Sequence, residues 1–155
     1  MSTEPSNLNY LSPVSFRLLI DKAPNVEYFC TGVNMPDLSI TPSSVNITKT
    51  VAQLFADKIN FNDLTVKIII DEDMENYKEI YDWIRRTTLD DNFAESETCD
   101  ISLVVMSSHN NQTNNIVFTN AFPVSIAGVE FTTEASDVTY VTADVTFSFS
   151  DMILK

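Results

Sequence analysis

Hydrophobic and polar residues alternate along most of this chain. The stretch "VSFRLLI" at 14–20 sets Val14, Phe16, Leu18 and Ile20 on one face. "LTVKIII" at 64–70 does the same with Leu64, Val66, Ile68 and Ile70, and "DISLVVM" at 100–106 with Ile101, Leu103 and Val105. A period of two, enriched in β-branched residues, predicts strands with one face buried. The longest such run is "TYVTADVTFSFS" at 139–150. It predicts one long strand with Val141, Ala143, Val145, Phe147 and Phe149 on the dry side and Thr142, Asp144, Thr146 and Ser148 on the polar side. Its length suits a strand that spans a wall rather than one closing a small sandwich.

One segment breaks the alternation. In "DEDMENYKEIYDWI" at 71–84, a 100° step from Met74 gathers Met74, Tyr77, Ile80, Tyr81 and Ile84 on one side, with Trp83 at the edge. Glu75, Lys78, Glu79, Asp82, Arg85 and Arg86 fall opposite. This predicts an amphipathic helix with Asp71 as its cap, Glu72 and Asp73 in the first turn, and arginines at the far end, all suited to the helix dipole. Lys78 with Asp82, and Asp82 with Arg86, have the spacing of helical ion pairs.

The remaining segments read as connections. "HNNQTNN" at 109–115 is the tip of a hairpin, and "DKAPNVEYF" at 21–29 a turn leading into a strand. Residues 35–57 carry Pro36 and Pro42, many Ser and Thr, and weak alternation. They predict a long extended excursion from the sheet, and excursions of that length inside a compact domain are usually functional. Residues 87–98 read as an acidic exposed loop. Neither an internal repeat nor a domain-splitting linker is evident, so 1–155 is expected to form a single domain.

Composition narrows the function. The 155 residues carry 22 acidic and 9 basic side chains, a net charge of −13. That disfavours a surface that grips nucleic acid but suits one that nucleic acid must pass without sticking. "MSTEPSNLNY" offers no signal-peptide core, and no apolar run is long enough for a membrane span, so a cytoplasmic site of synthesis and no membrane partner are expected. Cys30 and Cys99 are then expected as buried thiols.

Candidate chemistry is thin. The two glycines, Gly32 and Gly128, are far apart, so neither a phosphate loop nor a dinucleotide fingerprint is present. His109 is the single histidine and lies in an Asn-rich turn, without a nucleophile elbow anywhere. Asp71, Asp73, Glu75 and Asp82 echo a calcium loop, but its sixth place, which needs Gly, holds Asn76. Helix capping therefore accounts for these acids better than a metal site. No enzyme, cofactor or metal is expected.

The segment "ADKINFNDLTVKIIIDEDMENYKEIYDWI" resembles the central region of tail tube proteins from contractile-tailed bacteriophages. The resemblance rests on Ala56, Asp57, Phe61, Asp63, Thr65, Val66, Asp71, Glu72, Asp82 and Trp83, taken in series. "YFCTGVNMP" before it and "FPVSIAGVEF" after it extend the match over most of the chain. The resemblance implies a β-barrel or two-sheet core flanked by one helix, a fold shared with type VI secretion tube proteins. It implies hexameric rings that stack into a hollow tube, with tail sheath and baseplate proteins as partners and DNA passing through the lumen. The expected location is the virion tail, assembled in the host cytoplasm.

On that reading the excursion is the ring-stacking element, with Ser39, Asn46, Lys49, Val51, Leu54 and Phe55 as candidates. Thr142, Asp144, Thr146 and Ser148 are candidates for the lumen. Asp71, Met74, Tyr77, Ile80, Tyr81, Trp83 and Ile84 cap and seat the helix. Alternatives are a tube-fold baseplate protein, a tail terminator, a monomeric carbohydrate-binding or adhesion domain, or a hydrolase whose carboxylates converge in space.

Overall fold

A computed structural model describes residues 9–55, 58–89, 97–134 and 140–155. In chain order the described elements are β1 (Phe16–Ile20), α1 (Pro24–Tyr28), β2 (Cys30–Asn34), β3 (Leu38–Ile40), β4 (Ser43–Ile47) and β5 (Thr50–Leu54). There follow β6 (Ile59–Phe61), β7 (Leu64–Ile69), α2 (Glu75–Leu89), β8 (Cys99–Met106), β9 (Gln112–Ile126), β10 (Thr142–Ser148) and β11 (Asp151–Leu154).

The alternating segments form the strands of one antiparallel sheet, ordered β1-β8-β9-β10-β7-β2, with β11 also paired to β9. Leu18 and Ile20, Leu64, Val66 and Ile68, Ile101 and Leu103, and Ala143, Val145 and Phe147 all turn into one buried cluster. Their intervening neighbours face outward, because successive side chains of a strand alternate. Val14 lies in an exposed turn before β1 and takes no part in the strand.

The fold is mainly β, but among the described residues the sheet is open rather than a closed barrel: β1 and β2 end the path without pairing. The bend comes from β9. Its first part pairs with β8 and β11, and its last part with β10. Register shifts interrupt both pairings, and Asn120 has φ of 51° at one of them. Extra residues of this kind bend a strand and sharpen its twist. Pro123 lies beyond the end of the β8 pairing, where β9 keeps only β10 as a neighbour, a tolerated place for a residue with no N–H.

The long final strand is divided. β10 and β11 follow the same side of β9 in continuous antiparallel order, from Val145 opposite Ile126 to Leu154 opposite Ile116. Phe149 and Ser150 break the ladder between them, although the Ser150 N–H still reaches the Thr119 carbonyl. Phe149 packs against Phe118 at 5.0 Å and Phe61 at 5.6 Å between ring centres.

Two helices cover the core. The segment 21–29, expected as a turn, contains α1, with Pro24 in its first turn and Val26 buried. Proline suits that place because its missing N–H would have had no helical partner. Nothing at Ala23 caps α1; the Glu79 carboxylate of α2 does so instead, accepting the Asn25 N–H at 3.2 Å and its side-chain amide at 2.7 Å. Pattern had assigned Glu79 to a solvated face, but the contact places an acid at a helix N-terminus, where it is favoured.

Helix α2 starts at Glu75, not Met74, which has φ of 56° and ends the preceding turn. Asp71 Oδ1 accepts the Glu75 N–H at 2.7 Å, so the cap reaches forward from outside the helix. The buried face is Asn76, Ile80 and Trp83. Trp83 is therefore central rather than at the edge, Tyr81 is exposed, and Met74, Tyr77 and Ile84 are half-buried. Trp83 lies 6.0 Å from the Phe147 ring and donates its indole N–H to the Glu97 carbonyl at 2.6 Å.

Residues 87–89, expected in a loop, complete α2. Thr87 and Thr88 donate their hydroxyls to the Trp83 and Ile84 carbonyls in the last turns. Residues 90–96 of that expected loop lie outside the described residues, as do Ala56 and Asp57.

Candidate functional site

Two surfaces set this chain apart from a self-contained domain. The first is the segment expected as an extended excursion. It is a β-arm: β3 pairs with β6, and β4 with β5, neither pair joining the main sheet. The register explains its polarity. Leu38 opposes Phe61 and Ile40 opposes Ile59, while Ser39 opposes Asn60. Farther out Val45 opposes Ala52 and Ser43 opposes Leu54, while Asn46 opposes Val51 and Ser44 opposes Gln53. Opposed residues share a face of the ribbon. Each pair of strands thus has a more apolar side, one carrying Leu38, Ile40 and Ile59, the other Val45, Ile47, Ala52 and Leu54.

That apolar side is not covered by the chain itself. Leu38, Ile40, Val45, Ile47, Leu54 and Ile59 are all exposed, as is Val51 on the other side, and Phe55 at 97% is almost fully so. Of the candidate residues, Asn46 and Val51 are direct cross-strand partners, Ser39 lies on the polar side of the lower pair, and Lys49 forms the hairpin turn with φ of 84°. An isolated two-stranded ribbon is marginal in water, and exposed apolar side chains gathered in this way mark an interaction site.

The second surface is the outward face of β2, β7 and β10. Thr142 and Asp144 are exposed, and Thr146 and Ser148 half-buried. Beside them on β7 stand Thr65 and Lys67, and on β2 Gly32 and Asn34; together these line a shallow depression of about 300 Å³ with Asp144. Asp144 and Lys67 are cross-strand partners. The face is therefore polar, with Lys67 opposite Asp144, whereas Asp144 is the one charged residue among the four expected from sequence. Lys67 was missed because it sits inside an apolar strand, although its place in the alternation put it outward.

Ionic contacts concentrate elsewhere. Glu97 receives Lys22 at 3.9 Å and Arg86 at 3.3 Å, and Arg17 meets Glu27 at 4.0 Å. Arg86 thus pairs with Glu97 rather than with Asp82 one turn before it. Cys30 and Cys99 are free and half-buried, and burial raises both thiols above the ordinary value. Among the described residues no group of three or more His, Cys, Asp and Glu side chains is placed to hold a metal ion, and no helix is long and apolar enough to cross a membrane. His109 lies exposed in the turn before β9.

The phage tail tube protein family model matches residues 7–154, and the chain belongs to that family. Curated protein sequences give no significant match. Solved structures agree on the fold. A chain of the sheath–tube complex of an extracellular contractile injection system, PVC, in its extended state, is 16% identical with a TM-score of 0.71, covering 99% of each chain. A chain of the anti-feeding prophage tube-terminating cap is 12% identical at 0.75, covering 99% of this chain and 95% of that one. A chain of the anti-feeding prophage baseplate is 13% identical at 0.62, covering 100% and 97%. The likeness extends, at 0.53, to a type VI secretion system protein. The fold is thus shared with chains of contractile injection systems.

Proposed function

We propose that this protein is a non-enzymatic structural subunit of a contractile phage tail tube, in which six copies form a ring and rings stack around a channel for DNA. The observation that carries the reading is the β-arm. A family of tube subunits and an arm whose apolar side is bare in the single chain fit together if neighbouring copies cover it. The whole chain, 1–155, acts as one tube domain, with Ser39, Asn46, Lys49, Val51, Leu54 and Phe55 in or beside the ring-to-ring contact.

The free edges of β1 and β2 support ring closure. Among the described residues neither has a second strand neighbour, although Glu27 already takes the Ile20 N–H on the β1 edge, and joining the two edges between copies would cover them. Different surfaces meeting head to tail generate rings or filaments rather than closed pairs. The face bearing Thr142, Asp144, Thr146 and Ser148 lines the channel. A charge-balanced lining of hydroxyls with the Lys67–Asp144 pair gives the DNA backbone no continuous cationic track. Sheath and baseplate proteins are the outer and terminal partners, in a virion tail assembled in the host cytoplasm.

The second reading, a tube terminator or baseplate ring, is favoured by the likeness to the cap and baseplate chains. Electron microscopy of the purified protein separates the two. A main tube subunit extends to tubes of unrestricted length, whereas a terminator or initiator stops at rings. A protein that stays monomeric contradicts both.

A further inference from the structure

A groove of about 260 Å³ runs beside the N-terminal end of α2. Ile70, Met74, Val129, Phe131 and Val141 line it together with Asp71 and Glu72. Phe131 is 78% exposed. Asp73 and Glu75 follow directly along the chain and are exposed as well. The lining is thus mostly apolar, with acids in it and beside it.

The arm offers an apolar side chain and two lysines, with Asp37 and Asp57 in the same stretch. Phe55, between β5 and β6, is an apolar knob exposed to 97%. Lys49 at the hairpin turn and Lys58 just before β6 are both exposed, two of only nine basic residues in a chain of net charge −13. An apolar knob followed along the chain by Lys58 and an apolar groove with acids in and beside its lining are complementary in character.

We propose that Phe55 of one copy seats in the Phe131–Val141 groove of a copy in the adjacent ring, with Lys58 facing Glu72 and the neighbouring acids. The proposal rests on the stacking reading above and names the surface that receives the arm. Knob and groove are different parts of the molecule, so the contact repeats head to tail and propagates rather than closing on itself. It also gives the DEDME acids a role besides capping. Glu72 and Asp73 make no contribution to the buried core, and their density beside an apolar groove is what would attract Lys58.

The test is a charge reversal with rescue, read as the concentration at which half of the full-length protein sediments as polymer. Lys58→Glu and Glu72→Lys are each expected to raise that concentration at least about tenfold, and the double variant to restore it to near wild type. Both side chains are exposed, so circular dichroism should show unchanged folding. Phe131→Arg, also at an exposed position, is expected to block polymerisation without changing Tm. Failure of the double variant to rescue, or normal polymerisation of Phe131→Arg, overturns this contact while leaving ring stacking intact. If wild-type protein and Phe55→Ser behave alike as monomers at every concentration, the stacking reading itself fails.

Discussion

Asn76 is fully buried, and its side-chain amide donates to the Ile69 carbonyl at 2.6 Å. Its Oδ1 faces the other way, accepting the Tyr77 N–H at 2.8 Å and the Asp71 N–H at 3.4 Å. One side chain thus ties the end of β7 to the start of α2 and serves backbone groups of half-buried residues. Replacement by Leu keeps the volume but strands the Ile69 carbonyl. Asn76→Leu is expected to cost about 1–3 kcal/mol, read as a lowered midpoint in urea. Asp71→Ala, which removes only the exposed cap on Glu75, should cost about 1 kcal/mol or less.

Trp83 joins three parts of the molecule: the Phe147 ring, the Glu97 carbonyl and the Lys22 ammonium, whose nitrogen lies 5.9 Å from the ring centre. Trp83→Ala should destabilise the fold by about 3–5 kcal/mol, the usual cost of emptying an aromatic site in a core. Trp83→Phe should fall well short of that loss, because the packing against Phe147 is partly kept and only the indole N–H is missing. Thermal unfolding of the two variants side by side checks the order.

Cys30 and Cys99 are both raised, burial being the larger cause, with hydrogen bonds to the backbone of Gly32 and Lys22 respectively acting in the opposite direction. A thiol held above its ordinary value stays protonated at neutral pH and reacts poorly there. Alkylation of the native protein should therefore be slow at pH 7 compared with a free thiol and should accelerate as pH rises. The sign for stability is the opposite one. Above the ordinary thiol value the unfolded chain releases protons that the folded chain keeps, so these two groups lower stability as pH climbs through that range.

The arm separates assembly from folding. Leu54 and Phe55 are exposed and outside the buried cluster. Leu54→Ser with Phe55→Ser should leave Tm within about 1–2 °C of wild type, since exposed substitutions away from special features change stability little. The same variant should abolish sedimentable polymer. A large drop in Tm without an effect on polymer would show that the arm serves the fold of its own chain.

The strands were legible wherever one face is dry and the other wet, as in Leu64 to Ile68 and Ala143 to Phe147, because burial there enforces a period of two. Helix α2 was legible, but its phase was not. A hydrophobic stripe counts Tyr77 and Tyr81 and passes over Asn76, whose burial depends on backbone partners brought by β7. α1 is too short for any period to show, and Pro24 was its single signal. The arm hid its pairing because no core covers either side of it, so alternation was only loosely held. The break at Phe149 and Ser150 depends on β9, a strand far earlier in the chain, and no local pattern announces it.

The central claim is that this chain is built to be one unit of a tube. Cryo-electron microscopy of the purified protein, concentrated alone and with a nucleating ring or baseplate, tests it most directly. The account predicts hollow tubes of stacked six-fold rings, with the β-arm at the ring-to-ring contact and the Thr142–Asp144–Thr146 face toward the channel. A protein that remains monomeric under both conditions, or assembles with the arm free in solvent, would contradict it.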